Sequence, residues 1–190
     1  LINTKNLGSS VSVPYYWAIG SDKDLTFTNR MFASENPLFL GEYRQAFKNS
    51  NLVSDFGYTE GYKRTSVTKK SGDKSHFFLE FVKNFTSDKN TENNLKLKVQ
   101  STSDKKYLKL YKIESSLADY NEDNLENSLS FLHENNDFFL GLNASIFETL
   151  KDSTDDEHEY ILPEITIAKN LFSNNLLGNL DLQSNLKVHN

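Results

Sequence analysis

From Leu25 to Met31 the chain alternates. Leu25, Phe27 and Met31 fall on one side, and Thr26, Thr28 and Arg30 on the other. That period of two belongs to a strand with one apolar and one polar face. The pattern recurs. Leu52, Phe56 and Tyr58 oppose Asp55, Gly57 and Thr59, and Phe77, Leu79 and Phe81 oppose His76, Phe78 and Glu80. Leu95, Leu97 and Val99 oppose Lys96, Lys98 and Gln100, and Leu125, Leu129 and Phe131 oppose Glu126, Ser128 and Ser130. Leu140, Leu142, Ala144 and Ile146 oppose Gly141, Asn143 and Ser145; Ile161, Pro163, Ile165 and Ile167 oppose Glu164 and Thr166; Leu180, Leu182, Leu186 and Val188 oppose Asp181, Gln183, Asn185 and Lys187. Together these predict an all-β chain, an antiparallel up-and-down meander of about ten strands. The segment 103–123 reads as a longer loop. Within it, Tyr107 to Tyr111 fits a short strand extension or one helical turn.

Each predicted strand is about ten residues long, the length a tilted strand needs to cross a bilayer. Short turns at Gly20, Asn49, Ser87, Glu134 and Ser173 alternate with links at Glu35, Lys63, Ser103 and Lys151, three of them long. Outer-membrane barrels have short periplasmic turns and longer external loops. The expectation is one partial domain over residues 1–190, an open piece of a large transmembrane β-barrel, with the Gly20 side periplasmic. The hydrophobic fraction is 37% and mean hydropathy is −0.59, yet aromatics reach 13%. That mixture excludes a disordered tail and suits strands that are wet on one side. There is no cysteine, hence no disulfide framework. A net charge of −5 argues against nucleic acid. No apolar run of about 18 residues marks a spanning helix. The chain opens on Leu1 and closes in mid-alternation at Asn190, so an internal fragment of a longer protein is expected.

Certain residues carry a family resemblance. The run Pro14-Tyr15-Tyr16-Trp17-Ala18-Ile19 is followed by Asp24-Leu25-Thr26-Phe27-Thr28 and then by Glu42-Tyr43-Arg44. This resembles the start of the barrel domain of the lipopolysaccharide-assembly protein family LptD, also called organic solvent tolerance proteins. Tyr160-Ile161-Leu162-Pro163-Glu164-Ile165 is similar to a later strand of that family. The match is dense over the first third and looser afterwards. The resemblance implies an outer-membrane location in a Gram-negative bacterium and passage of lipopolysaccharide from a periplasmic bridge protein to the outer leaflet. It also implies an LptE-like plug lipoprotein in the lumen and a lateral gate, in which Pro14 matches one of two strand-weakening prolines. The family's periplasmic domain, closing strands and cysteines have no counterpart in this sequence.

Read without the resemblance, Pro14 is an ordinary edge or bulge proline. Tyr15, Tyr16 and Trp17 are expected to anchor at the interface as an aromatic girdle, or to touch passing lipid. Thr26, Thr28, Arg30, Glu42, Arg44, Glu80, Lys96, Lys98, Glu126 and Lys187 fall on polar phases. They are expected to line a lumen, with charges paired across strands or turned to lipopolysaccharide sugars or the plug. Lys63, Arg64, Lys69, Lys70 and Lys74 give one basic external loop, solvated or facing lipid phosphates. No catalytic residue, metal site or cofactor is expected. His76, His133, His158 and His189 are scattered, and Asp152, Asp155 and Asp156 lack the spacing of a calcium loop. Two other readings suit the alternation: a different barrel, such as a porin or receptor, and a soluble extracellular β-sandwich that binds carbohydrate.

Overall fold

The computed structural model describes residues 2–4, 7–61, 63, 72–88, 90–151, 158–174 and 178–189. Eleven strands follow one another in sequence order in a single antiparallel sheet. They are β1 (Ile2–Thr4), β2 (Gly8–Ala18), β3 (Lys23–Phe32), β4 (Leu38–Phe47), β5 (Ser50–Thr59), β6 (Lys74–Asp88), β7 (Thr91–Thr102), β8 (Asn124–Glu134), β9 (Phe138–Thr149), β10 (His158–Asn174) and β11 (Gly178–His189). One helical turn, α1 (Tyr107–Tyr111), lies between β7 and β8. The meander is therefore as the alternation predicts, with the three-residue β1 bringing the count to eleven. The sheet stays open, since β1 and β11 are its two ends. No second sheet of the kind a β-sandwich needs packs on it among the described residues.

The alternating links hold. Five short turns lie at one end of the sheet; at the other, the links after β3, β5, β7 and β9 are longer and the link between β1 and β2 is short. Registers then sort side chains by face, because residues directly opposite share a side. Ser12↔Arg30, Thr26↔Glu42, Glu42↔Asp55, Glu80↔Lys98, Lys98↔Ser128 and Glu164↔Lys187 all stand on one face. Phe27↔Tyr15, Phe56↔Phe77, Leu97↔Leu129 and Ile165↔Leu186 stand on the other.

Three local readings change. Tyr16 pairs with Thr26 on the polar face, while Tyr15 and Trp17 stand on the apolar face, so the aromatic run is split rather than a single girdle. In β10 a register shift between Ile161 and Glu164 inserts Leu162 and Pro163 opposite Ala144. That bulge flips the phase, so Ile161 sits with Ser145 on the polar face and only Ile165 and Ile167 stay apolar-facing. The third concerns Pro14. Ala33 N–H donates to Ser9 O at 3.2 Å, and from there the register runs unbroken to Ala18↔Asp24. Hydrogen-bonded pairs recur at every second residue, at Val11, Val13, Tyr15 and Trp17. Pro14 falls between them, so its ring nitrogen points away from β3. It removes no bond from the β2–β3 ladder. The side it faces is paired with β1 only over Gly8–Ser10, which makes Pro14 an edge proline.

Candidate functional site: a capped polar face

The largest departure from expectation is the segment after β7. Residues 103–123 do not extend outward as a solvated loop. They fold back over the polar face. Tyr107, Leu108 and Tyr111, at helical spacing, are buried together with Ile113 and Ala118 against Phe32, Leu38, Phe78 and Leu125 of the sheet. One buried cluster, built on α1 and on Ile113 and Ala118 after it, reaches from Phe32 on β3 to Leu125 on β8.

The choice of a helical turn over a strand has local causes. Asp104 Oδ1 accepts from the Lys106 amide at 2.9 Å, turning the chain. At the far end Ile113 N–H reaches Leu108 O at 3.0 Å, Lys112 N–H reaches Lys109 O at 3.4 Å, and Lys112 adopts φ 48°. That is a Schellman termination, which fixes the helix at five residues.

Polar pins join the cap to four strands, β3, β4, β6 and β7. Lys74 Nζ of β6 meets Asp104 Oδ2 at 2.6 Å. His76, also on β6, donates or accepts on both ring nitrogens: Nε2 lies 2.7 Å from Asp55 Oδ1 on β5, and Nδ1 lies 3.4 Å from the Tyr107 hydroxyl. The His76 and Asp55 side chains are 0% and 4% exposed. Arg30 on β3 donates to the backbone oxygens of Tyr111 and Lys112, carbonyls that the helix end leaves without an intrahelical partner. Ser116 Oγ donates to Glu42 of β4 at 2.8 Å, and Gln100 Nε2 of β7 donates to Leu117 O at 3.1 Å. Beyond Lys98↔Ser128 the β7–β8 ladder ends, and side chains replace it. The Gln100 amide donates to Asn127 Oδ1 at 2.9 Å, and the Glu126 amide donates to Gln100 Oε1 at 2.8 Å.

Burial pushes the Tyr107 hydroxyl well above the usual phenol range, and the neighbouring Tyr111 and Asp55 push the same way. Tyr107 is therefore held as the neutral phenol beside His76 Nδ1. For Asp104, burial pushes the carboxyl upward. The hydrogen bonds from Lys74 and from the Lys106 amide outweigh it, and the group titrates below its ordinary value.

All ten polar-phase residues singled out from the sequence stand on this one face. Thr26, Thr28, Arg30, Glu42 and Arg44 lie on β3 and β4, Glu80, Lys96 and Lys98 on β6 and β7, Glu126 on β8 and Lys187 on β11. The structure divides them. Arg30 and Glu42 hold the cap. Arg44 pairs with Asp24 at 2.9 Å, Lys96 with Glu80 at 3.0 Å and Lys98 with Glu126 at 2.8 Å, which is cross-strand pairing on an open wall. Beside the cap a cleft of about 400 Å³ remains between Ser116, Asp119 and Lys98, Gln100, Glu126 and Phe147. The cap thus narrows the polar face without closing it.

Of the five basic loop residues, Arg64, Lys69 and Lys70 lie outside the described residues; Lys63 donates its amide to Glu35 at 2.7 Å and Lys74 is a strand residue bound to the cap. Of the histidines, His133 bonds Asn93 at 2.8 Å, His189 bonds Glu159 at 2.8 Å and His158 stacks on Tyr160. No group of metal-ligating side chains occurs among the described residues. Asp152, Asp155 and Asp156 lie outside them.

The Asp55–His76–Tyr107 chain and the cap went unread in the sequence. The signal was there: Tyr107, Leu108, Leu110, Tyr111, Ile113, Leu117, Ala118 and Tyr120 crowd one supposed loop, and a solvated loop has no use for them. In comparisons with protein-family models and with curated proteins, none matches this chain.

Proposed function

We propose that this chain is a stretch of wall from an outer-membrane β-barrel that moves lipopolysaccharide, with the polar face and cap lining the path. One observation carries the membrane part: burial is inverted. The buried cluster lies on the polar face, beneath the cap. The apolar face, with Val11, Trp17, Phe27, Phe56, Phe77, Leu129, Leu142 and Leu182, is exposed across β2 to β11. A protein at home in water buries its apolar face, and an apolar patch this wide marks contact with lipid or a partner. The absence of a long apolar helix says nothing against it.

The cargo rests on the resemblance of Pro14–Ile19, Asp24–Thr28 and Glu42–Arg44 to the lipopolysaccharide-assembly family. In that reading the short-turn end is periplasmic and the cap enters from the external side. The outer edge of β2 around Pro14 is the weak seam. A lipoprotein plug and a periplasmic bridge protein are the expected partners. The test is photo-crosslinking in cells, with the probe at Thr26 on the polar face or at Phe56 on the apolar face. Capture of lipopolysaccharide at Thr26 but not at Phe56 is expected. Phospholipid at Phe56 with no lipopolysaccharide at Thr26 would leave a barrel wall of another kind, a porin or receptor. Recovery of the chain in soluble fractions would remove the membrane reading altogether.

A further inference from the structure

Ionisable side chains are partitioned unequally between the two faces. On the polar face Lys74 pairs with Asp104, Lys96 with Glu80 and Lys98 with Glu126, and Lys187 on the last strand has no ion pair among the described residues. The apolar face carries lysines on its strands at Lys23, Lys83 and Lys169, placed there by Lys23↔Gln45, Ser50↔Lys83 and Lys169↔Phe138. Among the described residues none of the three has an ion pair.

Their positions share a rule. Lys23 is the first residue of β3 after a short turn. Lys83 is level with Ser50, the first residue of β5, and Lys169 is level with Phe138, the first residue of β9. Each therefore stands beside a short turn, and each has an aromatic neighbour. Trp17 is level with Leu25, two residues from Lys23. Lys83 Nζ lies 5.9 Å from the Phe85 ring centre, and Lys169 faces Phe138. The long-loop half of the same face holds no strand lysine or arginine among the described residues. It holds Glu148, level with His158.

We infer that Lys23, Lys83 and Lys169 form a belt on the apolar face that binds the phosphates of anionic phospholipids in the leaflet at the short-turn end. The inference rests on the membrane-wall reading above. A lysine on an apolar face lays its stem along the hydrocarbon and lifts its ammonium to the headgroup level. Unpaired there, it needs an external anion, and phospholipid phosphate is the anion at that depth, with aromatic rings settling beside it. Lipopolysaccharide phosphates would sit in the other leaflet, against the half of the face that lacks cations. The chain as a whole is negative, at −5, so general electrostatics would repel an anionic surface. A preference for one must be local.

The test is co-flotation of the whole chain with vesicles of phosphatidylcholine alone or with one-third phosphatidylglycerol, at low and high salt. Tighter association with the phosphatidylglycerol vesicles is expected, fading as salt rises. Each Lys→Gln change at 23, 83 or 169 should cut that preference about 5-fold, and all three together roughly 100-fold. Lys→Arg at the same sites should keep it. Removing equal charge at Lys63, Lys105 and Lys109, near the long loops, should also keep it. Association with both vesicles alike, or a preference that survives the triple Lys→Gln change, overturns the belt alone. Association with neither overturns the membrane-wall reading and the belt with it.

Discussion

Gly57 and His76 face each other across β5 and β6, and the cap depends on that closeness. A Cβ on Gly57 would stand 2.5 Å from His76 Cε1 and 2.9 Å from Leu40 Cδ2. The His76 ring is not free to retreat, because the Tyr107 ring packs against it with centroids 5.5 Å apart. Gly41 offers the opposite case. Its Cβ would meet the Phe56 ring at 2.3 Å, but that ring is on the open apolar face and is free to swing outward. Gly57→Ala should therefore cost about 2 kcal/mol, in the usual range for overpacking, and Gly41→Ala under about 1 kcal/mol. Equilibrium unfolding in detergent of both variants would check the contrast, and equal losses would mean that Gly57 is not under a rigid lid. His76→Ala goes further. It leaves Asp55 buried at 3% exposure without the ring that meets its carboxylate. A loss of roughly 3 kcal/mol is expected, with new protease cleavage confined to residues 103–123. Cleavage spread over the strands instead would place the pair in the sheet's own stability rather than in the cap's.

At the scale of elements, the cap and β2 make separate claims. The cap starts at Asp104, whose folded titration lies below its unfolded value near 3.9. For a carboxylate held down in this way, the stabilisation is fully present above about pH 4 and is lost as pH falls through the folded value. Pepsin should therefore begin to cut near Tyr107 and Leu108 only as the pH is lowered below about 4, with the sheet still intact. Asp104→Asn should give that cutting already at pH 4, and a pH-independent pattern in both proteins would dissociate Asp104 from cap docking. For β2, Pro14→Val should leave the β2–β3 pairing within about 0.5 kcal/mol, because the ring nitrogen faces the open edge. It should also raise self-association, since an edge donor is restored; hydrogen exchange at Phe27 and Asn29 reads the first and light scattering the second. What was legible in the sequence follows from the same physics. Period-two alternation fixed the strands and the faces of Arg30, Glu80, Lys96 and Lys98, because a pleated backbone leaves no other choice. It failed where the backbone departs from the pleat, at the Leu162–Pro163 bulge. It also failed where one segment covers another, since nothing local in Phe78, Leu38 or Leu40 announces that 103–123 will come to lie on them. His76 and Asp55 are 21 residues apart in sequence and meet only through the β5–β6 register.

The whole molecule poses a problem of solvent. Folding has gathered one apolar cluster beneath the cap and left a second, wider apolar surface bare on the opposite face. The two cannot exchange roles. Turning the sheet inside out would bury Arg44, Glu80 and Lys96 and expose Tyr107 and Phe78, and a register slip of one residue that would do so is blocked at every hairpin by the cross-strand pairs. The apolar face must therefore be covered by something other than the sheet itself, as must the outer edges of β1, of β2 beyond Ser10 and of β11, where backbone donors and acceptors lie open. Detergent can do both. The chain should be monodisperse in detergent micelles, with strand-rich circular dichroism and a buried cap that resists protease. Diluted below the micelle concentration it should aggregate within the mixing time, and Leu129→Lys together with Leu142→Lys on the apolar face should slow that aggregation while weakening micelle binding. A monomer that stays folded in plain buffer would mean that the apolar face has found cover within the chain, and the inverted burial on which the membrane reading depends would be gone.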